Sequence, residues 1–199
     1  MNLFVLIPVK GLKDGKTRLK DALDEAGRAA LNARLADRVL AAAFAARDVS
    51  GVIVVSPDDA ALAWAVARGA VALREPPDGG LNFALDDART LALTQGADSV
   101  LVLPADLPLV EAADIAALAA RARQGRAMVL APDAAGSGTN ALLLRPASAI
   151  PFRFGAGSFR AHLAEARRGR LPAHVLHRPT LAFDLDTPDD LARLRAARP

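Results

Sequence analysis

Two acidic signals dominate the chemistry this chain could do. An apolar run, Ser99-Val-Leu-Val-Leu-Pro-Ala, delivers Asp106 at its C-terminal end, and Phe183-Asp184-Leu185-Asp186 sets two acids one apolar residue apart. Alternate side chains of a strand share a face, so Asp184 and Asp186 are expected to point the same way. Three carboxylates at the strand ends of an open α/β sheet make a hard oxygen site of the kind Mg²⁺ uses while it holds phosphates. After the first apolar run, Lys10-Gly-Leu-Lys-Asp-Gly-Lys16-Thr-Arg18 adds glycines that let backbone amides approach an anion and lysines that neutralise it. These segments together predict a phosphate-handling enzyme in which Lys16, following a glycine in a strand-to-helix turn, faces phosphate.

Strand-like and helix-like segments alternate almost throughout, which predicts an α/β fold with a mostly parallel sheet flanked by helices. Strands are expected over Asn2 to Pro8, Gly51 to Ser56, Ala70 to Arg74, the run into Asp106, Ala127 to Pro132 and Thr139 to Arg145. Val175 and the segment Leu181 to Asp184 are expected to finish the sheet. Helices are expected over Glu25 to Arg47, around Trp64 behind Pro57-Asp58-Asp59, and over Asn82 to Gln95, Glu111 to Gln124, Ser158 to Arg168 and Thr187 to Arg198. Glu75 to Gly80 is rich in proline and glycine and reads as a turn, with Lys13 and Lys20 in a solvated basic turn. No repeat or composition shift divides the chain, so a single domain from 1 to 199 is expected.

Composition narrows the function. With 199 residues, 52% of them apolar, the chain can bury a full core and is not disordered. No apolar run reaches the ~20 residues of a membrane span, and the N-terminal run reads as a strand rather than a signal peptide. A membrane partner is therefore not expected, and a cytoplasmic enzyme is. The absence of cysteine excludes disulfides, thiolate nucleophiles and thiolate metal sites. A net charge of +3 is compatible with nucleic acid, but the arginines are scattered and there is no tyrosine and one tryptophan. Single-strand binding wants stacking aromatics over a basic groove, so anionic small molecules are the better account and no nucleic-acid partner is expected.

Several residues admit two readings. Gly15-Lys16-Thr17 resembles the end of a Walker A loop, yet Gly11 and Gly15 enclose three residues where that loop needs four, which counts against a P-loop kinase. Asp106 could be a turn residue between Pro104 and Pro108, but the carboxyl end of a strand is where open sheets seat ligands. Thr187-Pro188-Asp189-Asp190 reads as a helix start, making Asp189 and Asp190 structural. Gly155-Ala-Gly157-Ser158 opens a helix and is either an anion seat or a plain Ser158 cap, with Arg153 and Arg160 flanking it. His162, His174 and His177 lack metal-ligand spacing, and His162 reads as a helix-surface residue, so no Ser-His-Asp triad is supported.

Taken in order, several blocks resemble one family. Pro8-Val-Lys10 with Gly-Lys16-Thr-Arg18-Leu, Gly80-Leu-Asn82, Pro104-Ala-Asp106-Leu-Pro108, Gly138-Thr139-Asn140-Ala-Leu, Phe154-Gly155-Ala-Gly157-Ser158-Phe and Asp184-Leu-Asp186-Thr-Pro188 look like the 2-phospho-L-lactate guanylyltransferases. These enzymes make the phospho-acid precursor of the deazaflavin coenzyme F420. The likeness runs nearly end to end, and its combination is specific although each block alone is weak. It implies a single-domain Rossmann-like nucleotidyltransferase fold of the nucleotide-diphospho-sugar transferase type. It implies GTP and a small phospho-carboxylic acid as substrates and Mg²⁺ as cofactor, with a downstream transferase that joins the product to the deazaflavin as a further partner. Among residues, it implies Lys10, Gly11, Lys16, Arg18, Gly80 and Asn82 at the nucleotide, and Asp106, Asp184 and Asp186 at the metal. Thr139, Gly155 and Ser158 would hold the phospho-acid, with Lys16 and Asp106 the catalytic pair. Gly15 departs from the alanine expected there. A sugar-phosphate or molybdenum-cofactor nucleotidyltransferase, or a non-catalytic nucleotide-binding module, are the other readings.

Overall fold

The central strands of this chain are apolar on both faces, so each must be covered twice. In the computed structural model, which describes residues 1–12, 15–76 and 79–196, one sheet contains seven strands. They are β1 (Leu3–Pro8), β2 (Val49–Ser56), β3 (Val71–Arg74), β4 (Ser99–Val102), β5 (Ala127–Pro132), β6 (Thr139–Arg145) and β7 (Ala173–Val175), in the order β3-β2-β1-β4-β6-β5-β7. β6 is antiparallel to both of its neighbours, and the remaining pairs are parallel. Lys13 of the expected basic turn and Arg198 of the expected last helix lie outside the described residues.

Strand alternation sorts the core. Val5, Ile7, Val54, Leu101 and Leu143 face a layer made by α1 (Glu25–Ala45), α2 (Asp59–Ala67) and α4 (Ala112–Ala122). Phe4, Leu6, Ile53, Val102 and Leu142 face α3 (Gly80–Thr94) and α5 (Ser158–Arg168). Polar caps start these helices where the sequence permits: Asp24 and Asp58 accept from the backbone N–H of Gly27 and Ala60. None of the helices is long and apolar enough to cross a membrane among the described residues.

One expected strand is absent. Leu181 and Ala182 belong to a short helix, α6 (Pro179–Ala182), and the sheet ends on β7 instead. Proline at the first helical position starts α6, and the Asn140 amide then donates to the Leu181 carbonyl, so this backbone is tied to a side chain rather than to a strand edge. The chain beyond α6 is extended but unpaired in the sheet until α7 (Pro188–Ala196). Leu185, fully buried, anchors it in a third apolar cluster with Leu19, Leu31, Leu35, Leu191 and Leu194. Asp184 and Asp186 therefore flank a buried leucine in a segment that is not a strand. Thr187 and Asp190 cap α7 reciprocally, the Asp190 carboxylate accepting from the Thr187 N–H and the Thr187 hydroxyl contacting the Asp190 N–H.

This topology decides where a ligand can sit. The chain leaves β1 toward β2 on one side, while β4 flanks β1 on the other, so a crevice opens beyond their carboxyl ends. Antiparallel β6 pairs Leu142 with Val102 and Leu144 with Val100, which puts its first residues, Thr139 and Asn140, at that same edge.

Candidate active site

The loop after β1 is held from two sides. The Leu12 N–H donates to Asp58 at 3.2 Å, and the Asn32 amide donates to the Leu12 carbonyl at 3.3 Å. Asp58 thus serves the loop as well as capping α2. A Cβ on Gly15 would meet the Asn32 amide nitrogen at 2.5 Å, so the glycine here matches an asparagine that fills the space of a methyl group. Lys16 adopts a left-handed backbone, φ 60° and ψ 40°, an uncommon conformation for a non-glycine residue and one that often marks a functional position. A 3-10 turn, Thr17–Leu19, follows instead of an α-helix, so the loop does not end as a Walker A loop does.

That twist aims the Lys16 ammonium across the crevice, 2.9 Å from Asp106 and 2.6 Å from Asp186, with 9% of the side chain exposed. Burial pulls the Lys16 pKa down, but the two carboxylates outweigh it and hold the value above that of an ordinary lysine. Asp106 lies in the turn beyond β4, and its carbonyl accepts from the Leu185 N–H at 3.1 Å, joining the two acidic segments through the backbone. Asp184 is half-buried, and burial raises its pKa. The Asn140 amide, donating to it at 3.2 Å, opposes that rise, while the charges of Asp106 and Asp186 add to it. Among the described residues no three acids stand as a ligand cluster around one point. The lysine ammonium lies between Asp106 and Asp186, where a cation is most stabilised.

A cleft of about 360 Å³ opens on this group, lined by Lys10, Gly11, Lys16, Leu81, Asp106 and Asp186 among others. Arg18 is exposed on the 3-10 turn and is not part of its wall. Gly80, φ 67°, begins α3 beside Leu81. Asn82 turns away: its amide donates to the Phe154 carbonyl at 2.9 Å and accepts from the Phe154 N–H at 2.7 Å. This pair of bonds fastens the start of α3 to the turn before Gly155, so the two segments expected to hold different substrates are physically joined.

Next to this junction lies a buried cluster of polar side chains. Ser158 is not a helix cap; Gly157, φ 71°, occupies the cap position without a side-chain bond. The Ser158 hydroxyl instead meets the Thr139 hydroxyl at 3.2 Å, both nearly fully buried. Gly155 has φ 124°, backbone that only glycine adopts readily. Arg160 is exposed, and Arg153 pairs with Glu165 at 2.8 Å. His162, expected on the surface, is fully buried, with Nδ1 3.2 Å from the Thr139 hydroxyl and Nε2 accepting from the Arg153 N–H at 3.0 Å. Its spacing of four from Ser158 on one helix was the signal that the two share a face.

Burial pushes the His162 pKa down to about 4 against the pull of Glu165 and the Ser158 backbone, with Arg153 lowering it further. The ring is therefore neutral in the folded protein across the physiological range. An unfolded chain gains this proton near pH 6.5 and the folded one only near 4, so stability is intact above 6.5 and declines as pH falls through that window. The expected loss is about 3 kcal/mol by pH 4. Urea unfolding of the parent and of His162→Gln at pH 7 and pH 5 checks this. The gap between the two proteins should narrow on acidification, and an unchanged gap counts against the buried neutral ring.

Known proteins resemble this chain in sequence and in fold. A family described as "Guanylyl transferase CofC like" matches residues 3–195. The chain is 50% identical to a phosphoenolpyruvate guanylyltransferase of Rubrobacter xylanophilus, covering 99% of this chain and 95% of that protein. It is 36% identical to a 2-phospho-L-lactate guanylyltransferase of Methanothermobacter thermautotrophicus, over 98% of this chain and 84% of that one. A solved nucleotidyl transferase from Methanothermobacter superposes with a TM-score of 0.71 at 16% identity, covering 98% of this chain and 96% of its own, a likeness of fold.

Proposed function

This chain belongs to the family of CofC-like guanylyl transferases, and on that premise we propose that it moves GMP from GTP to the phosphate of phosphoenolpyruvate, releasing pyrophosphate. The acceptor is chosen from the relatives at 50% and 46% identity, whose names carry it. The product would feed coenzyme F420 biosynthesis in the cytoplasm, where a transferase joins it to the deazaflavin. The observation that carries the reading is the Lys16 ammonium held between Asp106 and Asp186 in the wall of the cleft.

The chemistry needs little from a general base. A phosphate monoester loses its second proton near pH ~6, so at neutral pH an acceptor oxygen is already nucleophilic. It attacks the α-phosphorus of GTP in line; the new P–O bond forms as the bond to the β-phosphate oxygen breaks, and pyrophosphate carries off the electron pair. What the protein must do is bring two anions together and align them. Lys10 and the amides about Gly11 and Gly80 would receive the nucleotide. Lys16 would exchange its carboxylate partners for phosphate oxygens, and Thr139, Ser158 and the Gly155 backbone would hold the acceptor. Asn82 would act on this seat through Phe154.

The donor chemistry also suits a divalent cation. Asp106, Asp184 and Asp186 offer only hard carboxylate oxygens, although among the described residues they are not gathered around one point. Mg²⁺ held by these three acids would neutralise phosphate charge.

Pyrophosphate release from GTP and Mg²⁺ with phosphoenolpyruvate, 2-phospho-L-lactate or 3-phospho-D-glycerate, and with ATP and CTP as controls, tests the proposal. Release is expected with GTP and phosphoenolpyruvate. Release with another acid alone would reassign the acceptor. Silence with all three from protein that binds GTP would remove the phospho-acid reading of the Thr139–Ser158 pair.

A further inference from the structure

His162 is absent from every role assigned above, yet it is the most buried titratable ring of the cluster and both of its nitrogens are engaged. The count of protons in that cluster is informative. A backbone N–H can only donate, so the nitrogen facing Arg153 must present its lone pair. The ring is neutral, so the other nitrogen carries the single N–H, and that nitrogen faces the Thr139 hydroxyl. A ring turned over would set Cε1 against the Arg153 N–H and Cδ2 against Thr139, so only this orientation makes both bonds. The Phe154 ring packs edge-on at 4.9 Å and confines the imidazole.

Two hydroxyl protons then remain to be placed. One lies between Thr139 and Ser158, 3.2 Å apart. The other cannot go to His162, which has no lone pair facing the hydroxyls. It is left for an acceptor other than these three side chains. With the opposite tautomer, the imidazole would take up that proton and the pair would offer a ligand only lone pairs, which repel an anion.

We infer that His162 is a positioning residue, one that makes the Thr139–Ser158 pair an obligate hydrogen-bond donor to an anionic oxygen of the phospho-acid. The inference rests on the reading of Thr139 and Ser158 as the acceptor seat. The same ring ties the start of β6 to the segment that enters the Gly155 turn, since its two bonds run to Thr139 and to the Arg153 backbone. One side chain thereby sets both the direction of the donor and the position of the glycine turn beside it.

The test separates the two ends of the ring. In His162→Asn, the amide NH₂ falls near the position of Nδ1 and still donates to Thr139, whereas in His162→Gln the longer side chain serves Arg153 and leaves Thr139 without its donor. Steady-state kinetics with phosphoenolpyruvate and GTP should show the KM for phosphoenolpyruvate rising about tenfold or more in His162→Gln and in Thr139→Val. It should stay within about threefold of the parent in His162→Asn, with the KM for GTP unchanged in all three. A purely structural role would lower melting temperature in both His162 variants and affect the two substrates alike. Equal effects of Asn and Gln on the phosphoenolpyruvate KM, with Thr139→Val still impaired, would overturn the role of His162 and leave the acceptor seat standing. A silent Thr139→Val would overturn the seat and the inference with it. Nitrogen-15 NMR of the unaltered protein gives a check independent of folding in the variants: His162 should carry its proton on Nδ1, and a proton on Nε2 refutes the proposal.

Discussion

Asp106→Asn is expected to lower turnover by about three orders of magnitude while leaving the protein folded. The substitution is isosteric, and the Asp106 carbonyl that receives the Leu185 N–H belongs to the backbone, so the join between the two acidic segments persists. What is lost is one carboxylate charge beside Asp184 and Asp186. On the proposed assignment that charge helps to hold a divalent ion at the phosphates, an interaction worth several kcal/mol to the transition state, and about 1.4 kcal/mol corresponds to each tenfold in rate. Melting temperature within a few degrees of the parent, with kcat down by about 10³, is the expected pair of results. Near-normal Mg²⁺-dependent turnover from the folded variant would remove Asp106 from the metal site.

Lys16→Met is expected to cost about 10²–10³ in kcat, the usual toll of removing one preorganised donor from a charge-stabilising site. Stability should change little. Asp106 and Asp186 retain 29% and 42% side-chain exposure, so water screens the repulsion left behind, and methionine and lysine bear the same backbone cost at φ 60°. The informative control is a titration with excess Mg²⁺. If Lys16 only neutralised the two acids, added metal would substitute for it and restore turnover. If Lys16 passes to phosphate, as proposed, turnover stays low at every Mg²⁺ concentration, and recovery would refute the role.

The legible parts of this fold are those where composition alone decides the outcome. Continuous apolar runs such as Leu3 to Ile7 and Met128 to Ala131 are too short for an ordinary helix and suit a strand buried on both faces. Leu181 to Asp184 was not legible in that way. Its apolar residues suit a strand equally well, and what decides against one is Pro179 at the start of α6 together with the distant Asn140 amide. The expected common face of Asp184 and Asp186 rested on strand alternation, and the segment is not a strand; it is held instead by the burial of Leu185 among leucines from three other segments. His162 illustrates a second limit. A histidine on a helix with no acid at short spacing looks solvated, because the partner of its Nε2 is a backbone N–H and every residue type carries one. The pairing of Lys16 with Asp106 and Asp186 was hidden for a related reason: its parts were each visible, but the left-handed turn that aims the lysine at them is a matter of one φ angle.

The strand order also bears on how such a protein can diversify. On the proposed assignment the groups that meet GTP come from the loops after β1, β3 and β4 and from the segment before α7, and the acceptor seat hangs from β6 and α5. The two halves are joined by the backbone ladder of β4 with β6, three residue pairs long, by the Asn82–Phe154 clasp and the Asn140–Asp184 bond, and by further bonds such as Arg89 to the Ile150 carbonyl and the Ala147 N–H to the Asp98 carbonyl. That boundary is a natural seam for grafting. Segments 127–175 exchanged between relatives that prefer different phospho-acids, with both ends of the clasp retained, would carry acceptor choice with them and leave the nucleotide half as it is.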